Sequence, residues 1–196
     1  MNESAAERFQ KKRVAIHEAG HTVMHLLVGQ SFEKVTLAKD KISISGIGDG
    51  EKVDATATTG GGVYVEDQKT IEAQDKEVLS GILNIKDGLV SMAGPVAEAL
   101  FVGKIDNETE AASAYDLGRI KMCCRAAINN GISDFGKWKG MYEMETAMVN
   151  AFSLGAQELL KKHWNCVNAI SDTLIERETL SYVEVLEIAR ANGFKR

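Results

Sequence analysis

Residues 14–25 read VAIHEAGHTVMH. His17 and His21 stand four apart, Glu18 follows the first of them, and His25 comes four after the second. Residues four apart are neighbours on one face of a helix. Two imidazoles at that spacing can hold one Zn2+, each at about 2.0–2.1 Å. Glu18 lies about 100° around the helix axis from His17. From there it is no direct ligand, but it can reach a water on the metal. Zinc lowers the pKa of such water toward about 7, and a carboxylate can take its proton as general base during attack on a carbonyl. This is the chemistry of the HExxH pattern. The bland alternative is a satisfied, partly buried histidine pair.

A catalytic zinc needs a third protein ligand and an open position. His25 is the nearest candidate, but three ligands in line down one helix cannot surround one tetrahedral ion. Its spacing also departs from HExxHxxGxxH, the metzincin pattern. We read His25 as a packing residue or a support behind the ligands. His163 is isolated beside Trp164 and reads as an ordinary surface or core histidine. Glu98 in AGPVAEAL and Asp116 in ASAYDLGR remain as alternatives for the third ligand. Gly20, inside HEAGH, costs about 1 kcal/mol relative to alanine in a helix. It is tolerated where a second backbone or a substrate comes close, and both readings stand.

These residues need elements to hold them. Ser4 and Glu7 form an S-x-x-E capping box, so a helix is expected from there to about Gly29. KVTLA (34–38) and KISIS (41–45) alternate like half-buried strands, VDATATT (53–59) is β-branched, and GGVYV (61–65) follows a glycine turn. A small sheet of three or four strands is expected over 33–65, with 46–52 as a loop. Beyond it, helices are expected near 67–84, 87–102, 109–130, 142–163, 165–178 and 181–192. Pro95 should kink or start a helix. Ser181 and Glu184 make a second capping box, with Leu180 and Val185 placed as a hydrophobic staple.

The 196 residues, 44% of them apolar, suit a single globular unit. The net charge of −5 disfavours nucleic-acid binding, which needs a basic face. Cys123, Cys124 and Cys166 form neither a CxxC pair nor a disulfide framework, and read as reduced, packed thiols of a cytoplasmic protein. Lys11, Lys12 and Arg13 precede an apolar stretch, but the histidines and Glu18 interrupt it, so no signal peptide is expected. The apolar run 88–103 carries Glu98 and Pro95 and falls short of the roughly 20 residues of a membrane span. No membrane insertion is expected.

Four stretches in order, AIHEAGH, AGPVAEALFVG, ASAYDLGRIKMCCRAAINNGIS and LIERETLS, resemble the peptidase domain of the FtsH family, membrane-anchored AAA+ zinc proteases. In that family HEAGH precedes a helix resembling AGRAAEEL-FG, then a helix with S-x-D before an apolar ladder, then a stretch resembling LLEKETL. The resemblance runs from about residue 10 to 190. HEAGH recurs elsewhere, but the ordered set of four is specific. The resemblance implies a zinc held by His17, His21 and Asp116, with Glu18 as catalytic base. Glu98 then matches an acid that is not a ligand and stays as a second choice or a supporting partner. The resemblance also implies that Gly62, Val63 and Tyr64 form an edge strand that binds substrate backbone as an added strand.

The expectation is therefore an α+β, mainly α chain. A zincin-like helix and small sheet fill the first third (1–66), and a helical bundle with the third ligand follows (67–196), in one FtsH-like peptidase domain (1–196). It would be a zinc-dependent endopeptidase acting on unfolded or flexible polypeptides, ATP-independent in itself. A catalytically silent binding or regulatory module that keeps the fold is the alternative. The resemblance admits a homo-oligomer or an ATPase in trans as partner. Three departures stand out. These residues contain no Walker A pattern (GxxxxGK[ST]) and no membrane anchor; Tyr115 stands where the family usually has asparagine; and the segment between HEAGH and GGVYV is longer than in the family.

Overall fold

The computed structural model describes residues 4–38, 62–64, 76–104, 114–129 and 140–195. Helix α1 (Ala5–Val28) starts on the expected capping box: the Glu7 N–H donates to Ser4 Oγ (3.2 Å) and the Ser4 N–H to Glu7 Oε2 (2.7 Å). It stops at Gly29, whose φ of 75° is left-handed. The Gly29 N–H bonds the Leu26 carbonyl and the Gln30 N–H bonds that of His25, which satisfies the last turn.

Helices were expected over 67–84 and 87–102, but one helix, α2 (Lys76–Val102), joins the described part of the first (76–84) to the second, with Pro95 inside it. No glycine or other breaker separates the two expected pieces at Ile85–Lys86, so the helical pattern continues. Pro95 removes the N–H that would serve the Ser91 carbonyl and crowds that turn without ending the helix.

Helices α1 and α2 run antiparallel. Phe9 stacks on Phe101, Arg13 meets Glu98, His21 meets Val90, and Gln30 meets Asp87. Gly20 sets how close they come: a Cβ there would lie 2.6 Å from both the Ala93 carbonyl oxygen and Ala97 Cβ. Of its two readings, close helix packing is the one the structure displays.

The remaining helices among the described residues are α3 (Ala114–Asn129), α4 (Met141–Lys162), α5 (Trp164–Arg177) and α6 (Tyr182–Ala191). Helices α3 and α4 pack on α2, while α5 packs on α1. Lys12 Nζ ties α1 to α5 through Ser171 Oγ (2.8 Å) and Asp172 Oδ1 (2.7 Å). The core between them includes the fully buried Ile16, Val23, Met24, Ile120, Leu160, Val167, Ile170 and Leu174. Each such aliphatic side chain contributes roughly 1.5–3 kcal/mol.

Among the described residues there is one antiparallel sheet, in the order β2-β1-β3. Strand β1 (Lys34–Thr36) pairs with β2 (Gly62–Tyr64) and with β3 (Thr179–Ser181). Val35 sits opposite Val63 on one side and Leu180 on the other. The chain is thus mainly α with a small sheet, as its α+β reading requires. The sequence showed no strand at 179–181, a run too short for alternation to register. The expected strands 41–45 and 53–59, loop 46–52 and the first half of helix 67–84 (67–75) lie outside the described residues. Leu180 and Val185, the expected staple pair, are both fully buried. The second capping box closes α6 at its start, where the Ser181 N–H donates to Glu184 Oε2 (2.8 Å).

Candidate metal centre

From His17 to Leu26 every residue of α1 is buried, with both α2 and α5 packed against the helix. His17 and His21 project together, with ring centroids 4.8 Å apart and planes at 75°. Their Nε2 atoms lie 3.1 Å from each other. Asp116, in the first turn of α3, brings Oδ2 to 3.1 Å from His17 Nε2 and 3.4 Å from His21 Nε2. A carboxylate in a first turn also suits the helix dipole. The three side chains form a group that could hold a metal ion, with donor atoms within 4.8 Å of one another.

The far side of each ring is engaged. His17 Nδ1 lies 3.0 Å from Glu98 Oε2, and His21 Nδ1 lies 2.7 Å from the Val90 carbonyl oxygen. Such contacts fix the tautomer and ring angle of metal-binding histidines, leaving Nε2 for the ion. Glu98 in turn accepts from Arg13 Nε. It therefore stands behind His17, away from the point where Nε2 atoms and Asp116 converge. Gly94 faces that point: a Cβ on it would lie 2.3 Å from His21 Nε2 and 2.6 Å from His17 Nε2. Only a residue without a side chain leaves this space open. Two imidazoles, one carboxylate, supports behind both rings and an open cradle fit a divalent ion.

Of the other sequence candidates, Glu18 is buried beside the group (7% exposed), and burial raises its pKa above the ordinary glutamate value. His25 is buried next to Phe32, outside the group. Burial, with the charges of His21 and Arg119, lowers its pKa to about 4, so it is neutral at pH 7. His163 joins α4 to α5 with its ring near Phe194. Tyr115 lies largely in solvent (62% exposed). Gly62, Val63 and Tyr64 form the outer strand of the described sheet, beside α1.

Sequence reasoning passed over Arg13 and Gly94. Both had a signal. Arg13 is one turn before His17 on the same face, and Gly94 directly precedes the lone proline.

Electrostatics give the metal-free site a held proton. Burial alone would lower the pKa of His17, but hydrogen bonds to Asp116 and Glu98 outweigh it and raise the value to about 10. Burial would raise Asp116, yet neighbouring His21 and the hydrogen bond from His17 hold it well below the usual carboxylate range. A metal needs the neutral imidazole, so below pH 10 its binding must expel this proton. The expected result is metal affinity rising by about tenfold per pH unit around neutrality and levelling as pH passes the His17 value. Calorimetric titration with Zn2+ at pH 7, in two buffers of different ionisation enthalpy, should show about one proton released per metal. No proton release would mean that His17 is already neutral.

No protein-family model matches the chain, and no curated protein matches it. Among the described residues no helix is long and apolar enough to cross a membrane.

Proposed function

We propose that the chain is a zinc-dependent endopeptidase with a zincin-like, FtsH-like site, hydrolysing unfolded or flexible polypeptide. The observation that carries this reading is the convergence of His17 Nε2, His21 Nε2 and Asp116 Oδ2 on one point, with Glu18 buried beside it. The order of motifs along the chain supports the same reading, and the donor set suits zinc. When bound, zinc would supply a Lewis acid that polarises the scissile carbonyl and acidifies water.

The chain's own groups do the rest. His17, His21 and Asp116 would hold the ion, and Glu98 and the Val90 carbonyl keep the two rings aimed. Glu18 would take the proton of the attacking water and pass it to the leaving amide nitrogen. A pKa raised by burial makes Glu18 a stronger base than an exposed glutamate. Strand β2, at the outer position of the sheet among the described residues, supports the reading that substrate adds there as a further strand, a mode that reads backbone and tolerates many sequences. Three buried free thiols support a cytoplasmic setting.

The test is the zinc content of freshly purified protein beside Asp116→Ala. About one zinc per chain is expected for the wild type, with retention weakened by about a hundredfold in the variant. Equal retention would move the third ligand elsewhere. No uptake by either protein would sink the enzyme reading.

A further inference from the structure

Arg13 and Glu98 form an ion pair between α1 and α2 whose side chains are only 5% and 3% exposed. A pair this deep is weak evidence for stability, because desolvation offsets the attraction. Its place suggests another use. Glu98 divides its two oxygens: Oε1 accepts from Arg13 Nε, and Oε2 lies 3.0 Å from His17 Nδ1. Arg13 precedes His17 by one turn on α1, and Glu98 follows Gly94 by one turn on α2. One carboxylate thus spans the helix pair with an arginine on one side and a ring of the candidate metal centre on the other. A carboxylate held only by His17 could turn about its own axis. Held at both oxygens, it sets the plane and tilt of the imidazole. The planar guanidinium suits this, since its donors are fixed in a fork.

We infer that Arg13 is a positioning residue for the metal centre, holding Glu98 so that Glu98 holds His17 with Nε2 turned to His21 and Asp116. This rests on the metal reading proposed above. Arg13 touches neither substrate nor ion and acts through two intermediaries.

The test is Zn2+ affinity by chelator competition on the full chain, for the wild type, Arg13→Met, Arg13→Lys, Glu98→Gln and the Arg13→Met/Glu98→Gln double variant. Thermal midpoints of the metal-free proteins are measured in parallel. Arg13→Met is expected to lose about ten- to a hundredfold in zinc affinity, the range for partners that orient a ligand. Arg13→Lys should recover part of it. The double variant should bind no more weakly than Glu98→Gln, because Arg13 works through Glu98. A merely structural arginine would lower the midpoint and leave zinc affinity unchanged; that result, or losses that multiply in the double variant, overturns the inference. If Arg13→Met does not fold, Arg13→Lys carries the test. Zinc affinity must then drop and the 15N signal of His17 Nδ1 in the zinc-loaded protein must shift, and no change in either overturns the inference. A wild type that takes up no zinc overturns the metal reading and this inference with it. A wild type and an Arg13→Met that bind equally overturn the inference alone.

Discussion

Glu18→Gln is expected to slow hydrolysis of a flexible peptide by roughly a hundred- to ten-thousandfold, the usual contribution of a general base, while zinc stays at wild-type level. The reasoning separates binding from chemistry. Glutamine keeps the shape and burial of Glu18 but cannot accept a proton at neutral pH. Glu18 follows His17 by one position, so it stands beside the donors rather than among them, and the ion should not need it. Stability should change little: burial penalises the charged carboxylate, and the neutral amide escapes that penalty. Three measurements on one preparation decide the matter: zinc content, thermal midpoint, and cleavage of a fluorogenic peptide or an unfolded protein. A variant that loses zinc would make Glu18 part of the binding set. A zinc-loaded wild type that cleaves nothing would favour the silent binding module.

Much of the helical architecture is legible in the sequence because helix ends carry local signals. Ser4 with Glu7, Gly29, and Ser181 with Glu184 each act within a single turn, and the structure has helix boundaries at all three. The joined helix α2 and the short strand β3 were not legible. Whether two neighbouring helical patterns merge into one helix depends on what packs along them. A three-residue strand is defined by its partner: β3 exists because Val35 has a neighbour in Leu180.

The site divides the same way. His17, Glu18 and His21 follow from helix periodicity alone. Choosing between Glu98 and Asp116 required knowing which acid approaches from which side. The residues by themselves left both open, and only the resemblance favoured Asp116. In the structure the two acids lie on opposite sides of the His17 ring, Glu98 at Nδ1 and Asp116 at Nε2. That distinction comes from the antiparallel pairing of α1 with α2 and the placement of α3, which no local pattern encodes. Arg13 belongs to the same class: its role is visible only once Glu98 is seen to share its oxygens.

Gly94→Ala is the substitution expected to empty the centre without replacing a donor. The added Cβ would lie 2.3 Å from His21 Nε2 and 2.6 Å from His17 Nε2, closer than carbon and nitrogen can approach. Something must move. The α2 backbone is fixed against α1 at Gly20, where the helices already touch. The two rings are the softer elements, though each is held at Nδ1. They would swing off the point where their Nε2 atoms meet Asp116. Zinc affinity should therefore fall by at least as much as in Asp116→Ala, by about a hundredfold or more, and peptide hydrolysis with it. The crowding should also destabilise the metal-free fold by about 1–3 kcal/mol. Gly118→Ala is the control. Its Cβ meets nothing within 4 Å among the described residues, so it should keep wild-type zinc affinity and gain up to about 1 kcal/mol from helix propensity. If Gly94→Ala binds zinc like the wild type, the ion does not sit in the space facing Gly94. The convergence of His17, His21 and Asp116 would then not be where this protein holds a metal.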